Sequence, residues 1–252
     1  MTPFDTLAGF ALLLVRPGML VIGTPLFGGS YAPAQVRVGL IVLVATVLAP
    51  FIALPSPVAA GGLVLLVARE LVIGLALAFA IRVLLAGAEF AGHFSGYQIG
   101  LSVGSLIDPL TGVRNNVLAI LYINVAIVVC LSTNAHHALL RALLDSYQAL
   151  PIGPGGLDVT GVSHVAGLLG TVFVMGVRIA APVVLVLLVV ELALGLLGRV
   201  APALNVMIAG APVRLVVGLL LVAATTIVFP SVISQYLPGA FRLAADLAAS
   251  FR

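Results

Sequence analysis

Residues 58–89 read VAAGGLVLLVARELVIGLALAFAIRVLLAGAE. An apolar helix needs about 20 residues to cross the hydrocarbon core of a bilayer. This run is far longer, contains no proline, and encloses Arg69, Glu70, Arg82 and Glu89. Such length predicts a strongly tilted helix, two segments broken near Gly74, or a helix that leaves the bilayer. Each charge at membrane depth costs at least ~2.5 kcal/mol and seeks protein, water or a counter-charge. Arg82 and Glu89 stand two turns apart and share a face, whereas Arg69 and Glu70 point in different directions. The run therefore reads as an interior surface of a helical membrane protein.

Composition agrees. Of 252 residues, 62% are hydrophobic and 8% charged, too few charges to clothe a water-facing domain that ordinarily carries about 25%. A large soluble catalytic domain is excluded. All 11 basic residues are arginines set singly along the chain, not in the tracts that bind nucleic acid. Asp5 precedes the first apolar run and no basic segment does, so that run is expected to remain as the first helix and not to be cleaved. The absence of any charged or Pro/Ser-rich linker predicts a single membrane domain over 1–252.

Other apolar runs flank this one. Phe4 to Ile22, interrupted by Arg16, and the run from Arg37 to Pro55 predict a helical hairpin. A short run spans Val117 to Leu131 and leads into Ser132-Thr133-Asn134-Ala135-His136-His137. Residues 141–163 are more polar, with Pro151, Pro154 and a glycine cluster, and predict an aqueous connection. Val162 to Leu197 is again over-long, punctuated by Arg178, Pro182 and Glu191. Val213 to Ile233 follows, and the tail to Arg252 predicts a short amphipathic helix. Hydropathy alone allows five to eight spans, and the arginines do not orient them.

The segment AGHFSGYQIGLSVGSLIDPLTG, 91–112, carries the clearest functional signal. Gly92, Gly96, Gly100 and Gly104 recur every fourth position and would form one stripe on a helix, permitting close backbone approach. His93, Ser95, Gln98, Ser102 and Ser105 stand between them, and Asp108-Pro109 favours a turn. Two readings fit: a small-residue packing seam followed by an ordinary loop, or a segment that lines or closes a pore.

Other candidate chemistry is thin. The lone Cys130 lies in an apolar run and reads as a small hydrophobe, with no disulfide framework and no thiolate metal site. His136-His137 lacks a ligand at i+3 or i+4, so no metal or other cofactor is expected. No nucleophile elbow, P-loop or dinucleotide fingerprint occurs. Glu70, Glu89, Asp108 and Glu191 are candidate proton carriers, though carboxylates near arginines more simply form structural pairs. Pro202 and Pro212 flank a mixed-polarity stretch with Asn205, bracketed by Arg199 and Arg214, which predicts a tight connection between two long helices.

Taken in order, these pieces resemble the FliR family of flagellar export-gate proteins, related to the SctT family of virulence secretion systems. The resemblance runs nearly end to end: Arg16-Pro17, Pro25-Leu26-Phe27, Pro33 and Arg37; GYQIGLSVGSLIDP at 96–109; Asn134 and His136; DSYQALPIG at 145–153; and GRVAPALNVMIAGAPVR at 198–214. Family members often have Pro-Gln before the Leu-Asn-Val element where this chain has Pro202-Ala203, so any contact of that glutamine is lost. The Gly96–Asp108 stretch and Ser146 with Leu150-Pro151-Ile152-Gly153 favour the flagellar branch.

The resemblance implies an all-α, integral membrane export-gate subunit built of long helical hairpins and lacking enzymatic activity. Its residues 1–160 would be FliP-like and 161–252 FliQ-like, within a helical pore complex. Implied partners are FliP and FliQ family subunits, the FlhB family subunit, unfolded export substrates and membrane lipid, with no nucleic acid. The implied location is the bacterial inner membrane at the flagellar basal body, with part of the assembly raised toward the periplasm. By position, the pore plug or gate would comprise Gly96, Gly100, Leu101, Ser102, Leu106, Asp108 and Pro109. Structural or assembly roles would fall to Arg16, Pro17, Arg37, Glu70, Arg82, Glu89, Glu191, Pro202, Asn205 and Pro212. An equivalent virulence-system subunit, or an independent transporter of protons or small solutes using Arg69, Glu70, Arg82, Glu89 and Glu191, are the alternatives.

Overall fold

Between Ala60 and Ile99 no proline removes a backbone donor, and the computed structural model carries one uninterrupted helix across the whole interval. The structure describes residues 3–27, 32–52, 60–101, 116–153, 162–201 and 206–249. Its helices are α1 (Pro3–Gly23), α2 (Ala34–Leu48), α3 (Ala60–Ile99), α4 (Val117–Ser132), α5 (Ala135–Ala149), α6 (Val162–Val200) and α7 (Val206–Ala249). Single 3₁₀ turns stand at Pro25–Phe27 and Ala49–Phe51. Among the described residues there is no strand.

Of the three alternatives for this run, the break near Gly74 does not occur. Gly74 instead lets α1 approach, since a Cβ there would lie 2.8 Å from Met19 Cβ and 3.0 Å from Arg16 Cα. At 1.5 Å per residue, the 40 residues of α3 extend roughly 60 Å, about twice the hydrocarbon thickness. α6 with 39 residues and α7 with 44 are equally over-long. By length and composition four helices could cross a membrane, or five if the bent pair α4–α5 counts as one span.

Three further expectations change. The polar stretch beginning at Arg141 is not an open connection as far as Gly153: α5 continues to Ala149, and Leu139, Leu143, Ser146 and Tyr147 recur at helical spacing on its buried face. Arg141, Asp145 and Gln148 are exposed on its other side. Pro212 does not flank a turn but lies in the second turn of α7, and the tail to Ala249 continues α7 instead of forming a short separate helix. Pro202 and Asn205 lie outside the described residues.

The chain divides into two compact units. One comprises Met1–Leu84, Cys130–Leu169 and Leu237–Arg252; the other comprises Leu85–Val129 and Gly170–Tyr236. In the first, α1 and α2 pack together as the expected hairpin, and α1 closes on α3 where a Cβ at Gly23 would meet Ala78 Cβ at 2.6 Å. In the second, Gly87 faces Met175 of α6, and Gly218 of α7 receives Ile99. Tyr122 of α4 meets Phe229 of α7 edge-on, with ring centroids 5.2 Å apart. Cys130 is fully buried.

Self-burial separates the helices. The apolar window of α3 is 67% buried within the chain, but that of α2 only 6% and those of α6 and α7 22% each. The latter three present apolar faces that lipid or other subunits must cover.

Candidate functional site

Within the first unit the charges converge on Arg16, which is fully buried, as is Glu70. The guanidinium grips the Glu70 carboxylate through Nε and, at 2.9 Å, through Nη2. Nη2 also donates to the Leu150 carbonyl at 2.7 Å, and Nη1 to Ser146 Oγ at 3.2 Å. The Tyr147 ring lies 4.2 Å below the guanidinium carbon. A charge pair this deep is tolerated because almost every polar atom has a partner. α1, α3 and α5 are thereby tied at one point.

Pro17 belongs to the same knot. Lacking an N–H, it leaves the Leu13 carbonyl without its helical donor, and the Tyr147 hydroxyl donates to that oxygen at 3.0 Å. Tyr147→Phe should therefore leave a buried carbonyl unsatisfied and cost about 1–3 kcal/mol. A thermal or denaturant titration in detergent checks the loss, and unchanged stability would remove this role. Arg69, one residue from Glu70, turns away as expected and donates to Gly153 O at 2.6 Å and Pro151 O at 3.4 Å.

In the second unit the glycine stripe has two structural uses. At Gly92 the backbones of α3 and α4 touch, because a Cβ would lie 2.5 Å from Ala119 Cα and 2.6 Å from Leu118 O. Gly100 adopts φ +94 and ends the helix, a left-handed conformation that L side chains resist. Leu101 N–H reaches Gly96 O at 3.0 Å and Gly100 N–H reaches Tyr97 O at 3.1 Å, the paired bonds of a glycine-terminated helix. The stripe is thus helical at Gly92 and Gly96, and the helix ends before Gly100; Gly104 lies outside the described residues.

Asn116 stands against this helix end. Its Oδ1 accepts from Leu118 N–H at 3.0 Å and caps α4, while its Nδ2 approaches the carbonyls of Gly92 at 3.4 Å and His93 at 3.3 Å. A Cβ on Gly96 would overlap the Asn116 amide, so only glycine admits it there. Phe94, Tyr97 and Leu101 are exposed on the same helix end.

Among the expected gate residues, Gly96, Gly100 and Leu101 therefore cluster at the α3 terminus, whereas Ser102, Leu106, Asp108 and Pro109 lie outside the described residues. Glu89 is 4.0 Å from His93, and Glu191 pairs with Arg214 at 3.4 Å. Arg82 donates to Gly23 O at the end of α1 at 3.3 Å, a favourable place for a cation. Arg37 sits in the first turn of α2, half-buried. No three His, Cys, Asp or Glu among the described residues are placed to hold a metal ion.

Sequence reasoning missed Asn116 as a contact, the Arg16–Glu70 pairing and the Tyr147 hydroxyl. The Asx residue just before the Val117 run was a readable capping signal; the other two join residues 54 and 134 apart in sequence, which no local pattern encodes.

Residues 7–239 match the family model described as bacterial export proteins, family 1. The chain is 31% identical over 237 residues to the flagellar biosynthetic protein FliR of Escherichia coli (strain K12), covering 93% of this chain and 90% of that protein. It is 30% identical over 230 residues to FliR of Bacillus subtilis (strain 168), covering 89% of each. The Yop proteins translocation protein T of Yersinia pestis is 26% identical over 161 residues, covering 63% of this chain and 62% of that protein.

Proposed function

Because the chain belongs to the family of bacterial export proteins, family 1, we propose that it is a core subunit of the flagellar type III protein export gate. In this reading it helps form and plug the channel through which unfolded flagellar proteins leave the cell. The observation that carries it is the match across residues 7–239, joined to a glycine-terminated helix at the stretch that would enter the pore. The flagellar branch is favoured over a virulence system by the greater identity and coverage of the FliR relatives than of the Yersinia protein.

The gate works by conduction and not by catalysis. FliP, FliQ and FlhB family subunits cover the apolar faces of α2, α6 and α7, with residues 1–160 acting as a FliP-like part and 161–252 as a FliQ-like part. The assembly sits in the bacterial inner membrane at the basal body, partly raised toward the periplasm. Glu70 pairs with Arg16 and Glu191 with Arg214, an arrangement suited to packing more than to proton relay.

The segment from Gly96 through Pro109 seals the resting channel. Small residues let it fill a narrow bore, and an apolar constriction excludes water and hence ions. Deletion of residues 106–112 should raise ion leakage through the purified assembly and disturb export. Gly100→Val should do the same more mildly, since a side chain at φ +94 carries a strain of roughly 1–2 kcal/mol. Bilayer conductance of the full assembly, read beside secretion of flagellar proteins, tests both; unchanged leakage and export would sink the plug assignment.

A further inference from the structure

We propose that Arg178, Gln235 and Tyr236 form a binding site for the headgroup phosphate of an anionic phospholipid, at the point where the apolar band shared by α6 and α7 ends. The site stands independently of the plug reading.

Within the second unit, α6 and α7 run antiparallel and meet at two polar points. Glu191 pairs with Arg214 at 3.4 Å. Arg178 Nη1 donates to Gln235 Oε1 at 3.2 Å and to the Tyr236 hydroxyl oxygen at 3.4 Å. Between these points α7 carries no charged residue over 215–234, a helical rise of about 30 Å, which matches the hydrocarbon core of a bilayer. Both helices are long and apolar enough to cross one.

Arg178 is exposed and by helical spacing shares its face with Val174, Leu185 and Val189, all exposed as well. A cation on an aliphatic face is costly inside hydrocarbon. At the boundary its stem stays among acyl chains while the guanidinium reaches the headgroups, and tyrosine is enriched at the same level.

The hydrogen-bond inventory selects an anion. Arg178 uses only Nη1, so its Nε and Nη2 donate to nothing among the described residues. Gln235 turns its oxygen toward Arg178, which leaves Nε2 as an exposed donor, and the hydrogen of the half-buried Tyr236 hydroxyl is available too. No carboxylate among the described residues offsets the charge: Glu70, Glu89 and Glu191 are taken by Arg16, His93 and Arg214. A phosphodiester supplies one negative charge and oxygens for several donors at once. An acidic side chain of another subunit would also carry charge, but the aliphatic face around Arg178 and its place at the end of a bilayer-thick band favour the lipid.

The test uses the complete export-gate assembly in detergent, labelled with photoreactive phosphatidylglycerol or phosphatidylcholine, with modified peptides around residues 178 and 235 mapped by mass spectrometry. Phosphatidylglycerol should label these segments of the wild type in preference to phosphatidylcholine. Arg178→Gln should lower that labelling about fivefold, the factor that about 1 kcal/mol per basic residue at an anionic surface represents, with subunit composition unchanged. Gln235→Glu keeps the oxygen that Arg178 binds but supplies a fixed carboxylate in place of the phosphate; it should assemble and lose the label, and it decides the matter should Arg178→Gln not assemble. Arg82→Gln removes the same charge from α3 and should label as wild type does; an equal loss there reduces the effect to net charge and overturns the site. Equal labelling by the two lipids, or full labelling of Gln235→Glu, overturns it as well. Loss of partner subunits from Gln235→Glu while the label persists assigns Arg178 to a partner carboxylate instead.

Discussion

Replacing Glu70 with Ala is expected to destabilise the chain by about 3–5 kcal/mol, the typical consequence of leaving one member of a buried ion pair without its partner. Arg16 has no route to water: it is fully buried in α1, and the other atoms it touches are Ser146 Oγ, the Leu150 carbonyl and the Tyr147 ring. None carries a negative charge. A loss of this size approaches the whole stability of many domains, so the variant should accumulate poorly and fail to enter the assembly. Protease resistance and co-purification of partner subunits measure this directly.

The double variant Arg16→Met, Glu70→Leu sharpens the result. Apolar groups of similar volume can replace a buried pair at little cost, so the double variant should recover much of the stability that Glu70→Ala loses. Failure to recover would show that the hydrogen bonds of Arg16 to α5, and not the charge pair, hold the unit together.

The second large effect is expected at Gly92. Leucine or valine there must displace the backbone of α4, since Ala119 Cα, Ala119 N and Leu118 O all lie within 2.7 Å of the new Cβ. Overpacking usually costs about 1–3 kcal/mol, and this case belongs at the upper end because backbone cannot swing aside as a flexible side chain can. Gly195→Ala supplies the contrast: nothing lies within 4 Å of its Cβ position in α6, and alanine in a helix interior is about 0.8–1 kcal/mol better than glycine. Thermal melts of the purified chain should shift downward for Gly92→Leu and not for Gly195→Ala. Equal shifts would refute the close approach of α3 and α4.

Two pieces of the structure around the candidate site were legible in the sequence alone. The four-residue glycine spacing correctly marked a close helix contact at Gly92, and the family pieces at 16–17 and 145–153 both proved to lie in the Arg16 knot. What the spacing could not convey was where the helix stops. Gly96 and Gly100 occupy equivalent stripe positions, yet Gly96 is helical and Gly100 left-handed. Glycine permits both conformations at similar cost, so the choice depends on what approaches each one.

The charges teach the same lesson. Arg82 and Glu89 share a face by spacing, but seven residues of helix separate them by about 10 Å, and each takes a different partner. Arg16 and Glu70, with no local relation, form the buried pair.

The sequence by itself determined that this chain is built of long apolar helices and belongs to a bacterial export family, because composition, periodicity and ordered motifs are properties of a single strand of text. Only the tertiary structure decided that α3 runs unbroken past Gly74, that Pro17 and Tyr147 complement one another, and that Asn116 rests on Gly96. Those outcomes depend on which helix faces come within a few ångströms, and close packing responds to the shape of both surfaces at once.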